Sequence, residues 1–214
     1  MKLTVFGANG AIGQLAVKEA LENGDQVIAY IRRDNALTIS HENLQIIVGN
    51  LDDARKIEEA IADSDAVISA LGPALDKSRK VKDLPIAAAH QTIIQVMQKV
   101  KKKRFITLGT PSIKANEDRS QVITILPGMM AKLLFPTGYQ EMKRIEQLVK
   151  QSYLDWTVVR IINPNVKHDG KGYSISLGDT KGSMNVSREN VAKCLFDMTR
   201  KNEYIHKMPI VFNK

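Results

Sequence analysis

A short apolar strand, Lys2-Leu3-Thr4-Val5-Phe6, runs straight into Gly7-Ala8-Asn9-Gly10-Ala11-Ile12-Gly13. A helix-forming stretch, Gln14 to Glu22, follows and is closed by Asn23-Gly24. This junction constrains the chain more than any other feature, because each glycine has a physical task. Gly7 permits a sharp turn off the strand, and Gly10 lets backbone N–H groups approach a pyrophosphate with no Cβ in the way. Gly13 lets the helix lie close on the sheet. The helix N-terminus adds orphan N–H groups and the positive end of its dipole. In a chain with 13 glycines the spacing alone means little. Between a strand and a helix it predicts a dinucleotide site, with Gly7, Asn9, Gly10, Ala11, Ile12 and Gly13 against the cofactor.

The rest of the chain repeats that alternation. Apolar runs predict strands over 3–6, 26–31, 44–48, 66–69, 104–108 and 156–161, with helical periods over 13–22, 53–62, 84–100 and 139–151. Asp52 or Asp53 is placed to cap the second helix. Such alternation implies a parallel sheet covered on both faces. With the glycine turn at the first crossover, the expected fold is α/β, a doubly wound parallel-sheet Rossmann fold with the cofactor across the carboxyl ends of the strands. Two segments break the rhythm. Residues 110–138 form a long connection whose apolar stretch, 122–135, is interrupted by Pro127-Gly128, so a break is expected there rather than one helix. After Pro164 a strand at 173–177, a helix at 187–199 and a last strand at 209–212 are expected. The expected organisation is one domain over 1–214, with a small C-terminal portion; residues 110–138 and 164–214 contribute the substrate side.

Composition excludes several classes. No apolar run approaches the ~20 residues that span a bilayer, and one lysine followed by a strand and a glycine turn is not a signal peptide. The lone cysteine, Cys194, permits no internal disulfide; it suits a reducing cytosol and reads as a small buried residue. His41, His90, His168 and His206 show no metal-ligand spacing, so no metal is expected. The net charge of +8 is concentrated at Arg32-Arg33, between Lys77 and Lys82, and from Lys99 to Arg104. With 5% aromatic residues and no recognition motif, it does not indicate nucleic acid. The expected protein is cytoplasmic, a monomer or homodimer, with a small-molecule acceptor as partner and neither nucleic acid nor membrane.

Further chemistry gathers at the predicted strand ends. The second strand runs into Arg32-Arg33, guanidiniums where a carboxylate commonly takes the adenosine ribose. They suit a 2′-phosphate through charge-assisted bonds, which favours NADP(H) over NAD(H), with Asp34 as the competing signal. After the third strand, Asn50 is placed to accept from an adenine amino group and Leu51 to pack on the ring. After the fourth, Ala70-Leu71-Gly72 is small enough for the cofactor's ribose–phosphate portion to lie on backbone. Tyr139 and Lys143 open the helix between the fifth and sixth strands and share a helix face. The ammonium would lower the phenol's pKa and hold the nicotinamide ribose, while the phenol donates a proton to a carbonyl oxygen as hydride arrives.

The glycine turn, Arg32-Arg33, Ser69-Ala70-Leu71-Gly72, Arg104-Phe105-Ile106-Thr107-Leu108 and Tyr139-x-x-x-Lys143 together resemble the short-chain dehydrogenase/reductase superfamily. The glycine spacing, the late Asp155-Trp156-Thr157-Val158-Val159-Arg160 strand and Val186-Ser187-Arg188-Glu189-Asn190-Val191-Ala192 are closer to its extended and atypical branches. Those include proteins similar to biliverdin reductase B/flavin reductase and to nitrogen-metabolite regulators. The resemblance covers nearly the whole chain. It implies a catalytic set of Tyr139, Lys143 and a hydroxyl beyond the fifth strand. That hydroxyl matches Thr110, 29 residues before Tyr139, with Ser112 as the alternative. Gly109-Thr110-Pro111 replaces the family's usual serine pair, and Asn163-Pro164 stands where Pro-Gly is common. The implied activity is NADPH-dependent reduction of a small carbonyl, quinone or flavin-type acceptor. The alternative is a non-catalytic NADP(H)-sensing regulator or scaffold.

Overall fold

Alternate side chains of the first strand, β1 (Lys2–Phe6), enter two different cores. Leu3 and Val5 pack on one face and Phe6 on the other, all fully buried. The computed structural model describes residues 1–34, 37–73, 83–120, 122–180 and 182–214, with backbone alone for 122–124. The remaining strands are β2 (Gln26–Ile31), β3 (Leu44–Val48), β4 (Ala66–Ser69), β5 (Arg104–Gly109), β6 (Asp155–Arg160), β7 (Tyr173–Ser176) and β8 (Ile210–Asn213). They form one sheet in the order β3-β2-β1-β4-β5-β6-β8-β7. Helices α1 (Ala11–Glu22) and α6 (Arg188–Met198) cover one face. Helices α2 (Ala54–Ile61), α3 (Pro85–Lys99) and α5 (Pro136–Gln151) cover the other. The chain reverses between β1 and β4, the place where doubly wound sheets open a crevice. Cys194 is buried in the core under α6.

The sheet is mostly parallel, as the doubly wound reading expects; at its edge β8 inserts between β6 and β7 and pairs antiparallel with β7. Tyr173, Ser174 and Ile175 are only half-buried, and an antiparallel edge tolerates water on one face where a parallel one does not. One expectation needs correction: Pro127-Gly128 breaks nothing, because α4 (Val122–Leu134) is one helix with Pro127 inside it. A proline costs the helix one N–H bond and some crowding. Gly128 offsets this by allowing close packing, since a Cβ there would lie 3.1 Å from the Pro111 carbonyl oxygen.

The connection from β5 to α4 is riveted at three successive residues. Glu117 pairs with Lys207, Asp118 takes a two-point hold on Arg160, and the Arg119 N–H donates to the Gly178 carbonyl at 2.9 Å. Gly178 has φ +88°, and a Cβ there would lie 2.0 Å from Asp118 Oδ1, so that turn accepts no side chain. The basic run between Lys77 and Lys82 lies outside the described residues.

Under the cleft, His90 of α3 is fully buried between β4 and β5. Its Nδ1–H donates to the Ile86 carbonyl at 2.8 Å, leaving the single lone pair of Nε2 facing Ser69 Oγ at 3.1 Å and Thr107 Oγ1 at 2.9 Å. Burial lowers its pKa from 6.5 to about 4, opposed only in part by the Ile86 bond. The unfolded chain therefore binds a proton that the folded chain refuses between those two values. Stability is complete above pH 6.5 and falls as pH drops towards 4, by about 3 kcal/mol for this residue. Urea unfolding at pH 7.5 and 4.5 is expected to show a steeper pH loss for the wild type than for His90→Gln. Equal slopes would remove His90 from the account.

Candidate functional site

The turn between β1 and α1 is built as its glycines require. Gly7 has φ +72°, and a Cβ on it would lie 3.1 Å from the backbone of Ala70 and Leu71, so the turn abuts the exit of β4. A Cβ on Gly13 would lie 2.0 Å from the Gly7 carbonyl oxygen, which lets α1 cross directly over the turn. The Gly10 N–H closes the turn onto that same oxygen at 2.9 Å. Asp53 caps α2 and Ser187 caps α6 with side-chain oxygens, whereas Gly10 begins α1 with none. The first-turn amides of α1 are thus left to an external acceptor, and the turn fits a dinucleotide phosphate.

Along the carboxyl edge, Arg32 and Arg33 are exposed immediately past β2. Asn50 and Leu51 follow β3 on a turn that Tyr30 supports: its hydroxyl donates to the Asn50 carbonyl at 2.7 Å. A Cβ on Gly49 would lie 2.3 Å from that hydroxyl. Burial, then the nearby Asp53, Asp52 and Glu59, push the Tyr30 phenol up to about 12, so it remains a donor. Ala70 and Leu71 leave β4 beside the glycine turn, followed by Gly72.

The remaining candidate residues lie past β5 and on α5. Gly138, at the start of α5, has its Cβ position 3.6 Å from the Pro73 side chain, which brings the neighbouring half-buried Tyr139 to the β4 exit. Thr110 lies just past β5, where its Oγ1 accepts weakly from the Ser112 N–H at 3.4 Å. Ser112 is buried, and its own hydroxyl has no partner among the described residues. Helix α4 closes over this turn through Gly128. The Lys143 ammonium is ion-paired to Glu146 one turn along α5, and Glu146 also takes Lys150 at 2.7 Å. Burial raises the Glu146 carboxyl, but the two lysines together hold it below the usual range.

Three supports escaped the sequence reading. Tyr30 is one. Glu141, inside the Tyr139–Lys143 segment, is buried and accepts from the N–H groups of Ile86 at 3.0 Å and Ala87 at 2.6 Å. It caps α3 from another helix, because Leu84 provides no side-chain cap of its own. The Asp118–Arg160 pair is the third. A capping signal missing before Pro85 was the one local hint of Glu141; the others join residues too distant to read.

Residues 7–202 match the NAD(P)H-binding family. The chain belongs to that family. Among curated proteins it is similar to the uncharacterized protein YwnB of Bacillus subtilis, 24% identical over 204 residues, covering 92% of this chain and 91% of YwnB. Among solved structures it is similar to a Veillonella parvula short-chain dehydrogenase/reductase in complex with NADP. That likeness has a TM-score of 0.79 at 18% identity, over 99% of this chain and 94% of the other. ChuY, an anaerobillin reductase from Escherichia coli O157:H7, gives 0.79 at 19% identity, over 100% and 97%. The resemblance read from the motifs thus leads to the same Rossmann-like architecture. Among the described residues no helix is long and apolar enough to cross a membrane.

Proposed function

We propose that this chain is an NADPH-dependent reductase of a small carbonyl, quinone or flavin-type acceptor. The observation that carries the reading is the convergence of two features at the β4 exit. The uncapped glycine turn abuts Ala70–Leu71, and the start of α5 with Tyr139 abuts Pro73. When bound, the cofactor supplies hydride. The chain's own residues do the rest. Turn amides hold phosphate, Arg32 and Arg33 take a 2′-phosphate, and Asn50 and Leu51 bracket the adenine. Tyr139 gives a proton to the acceptor oxygen, and Thr110 orients that oxygen. Lys143, released from Glu146 or sharing it, reaches the nicotinamide ribose. Helix α4 forms the wall over the acceptor.

The selectivity has a direct test. Replacing Arg32 and Arg33 by Ala is expected to weaken NADPH far more than NADH, by about 1.5–3 kcal/mol per lost charged hydrogen bond. Isothermal calorimetry measures both. Equal wild-type affinity for the two cofactors would overturn the NADP preference.

One observation favours a second reading, a cofactor-sensing scaffold. Helix α4 turns Met129 and Leu133 to solvent at 65% and 79% exposure, an apolar face suited to a partner. NADPH absorbance decay across quinones, flavins, aldehydes and ketones separates the two. Tight cofactor binding with silence on every acceptor would support the scaffold.

A further inference from the structure

A cavity of about 420 Å³ lies between the first turns of α1 and the loop after β6, lined by Ala11, Lys18, Lys167, His168, Arg188 and Glu189 among others. Its charge is lopsided, since three permanent cations face one carboxylate. Among the described residues none of Lys18, Lys167 and Arg188 pairs with an acid, Glu189 included. Arg188 instead donates to the Asn165 amide oxygen at 2.9 Å, which holds the guanidinium at the cavity wall. His168 is likewise fixed, its Nδ1 3.0 Å from Ser187 Oγ. Arg188 is also the first residue of α6, where the helix dipole disfavours a cation. Unpaired lysines bordering a fixed arginine in that setting give the cavity a positive wall suited to an anion.

Resting on the reductase reading, we infer that this cavity takes a carboxylate or phosphate group carried by the acceptor. The substrate class is therefore an anionic carbonyl, quinone or flavin-type compound. Cofactor phosphate is the other source of the same chemistry, but it belongs at the turn amides. Lys18 stands seven residues beyond Ala11, about 10 Å along α1. The cavity thus extends past the pyrophosphate position, and it opens to the loop that follows β6, the strand next to Thr110's.

The test uses benzoate, its neutral counterpart benzamide, and inorganic phosphate, titrated calorimetrically into the whole protein with and without saturating NADP⁺. Benzoate and phosphate are expected to bind the NADP⁺-loaded protein saturably, benzoate at least about tenfold tighter than benzamide. Arg188→Ala with Lys167→Ala is expected to erase that difference while NADP⁺ affinity stays within twofold. Both side chains are exposed, so the variant keeps its fold, which circular dichroism verifies. Displacement of the anions by NADP⁺, or a parallel loss of NADP⁺ affinity in the variant, would assign the cavity to the cofactor and overturn the inference. A flat anion titration on NADP⁺-loaded protein overturns it alone. Absence of NADP⁺ binding overturns the reductase reading beneath it as well.

Discussion

Tyr139→Phe is expected to lower turnover of carbonyl acceptors by ~10²–10⁴-fold while leaving NADPH affinity unchanged. The phenyl ring keeps the half-buried packing beside Gly138 and Pro73, so the change removes one hydroxyl and little else. The hydroxyl makes no hydrogen bond to another described residue, so no structural bond is lost with it. Quinone or flavin reduction is expected to survive, because water can protonate those products. Steady-state NADPH oxidation with one aldehyde and one quinone, alongside calorimetry for the cofactor, reads all three quantities. Full carbonyl activity in the variant would take the proton-donor role away from Tyr139.

Asp118→Ala is expected to destabilise the fold by about 3–5 kcal/mol. Arg160 is fully buried, and its guanidinium donates to both Asp118 oxygens at 2.6 and 2.7 Å and to the Met208 carbonyl at 2.7 Å. Removing the carboxylate strands a charge in the interior, which costs far more than the pair's net worth. Asp118→Asn keeps the shape and one acceptor and is expected to lie between. Urea midpoints at constant m-value give the numbers. A loss under 1 kcal/mol for the alanine variant would mean that water reaches the guanidinium.

What the sequence disclosed follows the range of the interactions. Strands β2, β3 and β4 were legible to the residue, because their apolar runs stop at Arg32, at Gly49 and at the polar Ser69. The glycine turn was legible because its tasks are local. Arg32, Arg33 and Thr110 stand just past the strand ends that were expected, whereas α5 begins at Pro136, three residues ahead of the expected start at Tyr139. Long-range partners were not legible. Nothing in Glu141 announces a bond to the Ile86 amide 55 residues away, or in Asp118 a bond to Arg160. The continuity of α4 through Pro127 depended on Pro111, which approaches Gly128 only in the fold. The direction of β7 was equally hidden, since an edge strand reads the same both ways.

The rivet at Glu117-Asp118-Arg119 has a dynamic corollary. These three residues are fastened to β6, to Lys207 ahead of β8 and to the Gly178 turn, whereas 122–134 sits between that anchor and Pro136 with much of its described apolar surface already wetted. Opening this helix exposes little additional carbon, so its local unfolding free energy lies well below that of the sheet. This segment is accessible to a native-state protease, and a cut there leaves Thr110, Asp118 and the strands after it in place. Such an opening uncovers the Thr110–Ser112 turn that Gly128 packs against, a door that swings without loosening its frame.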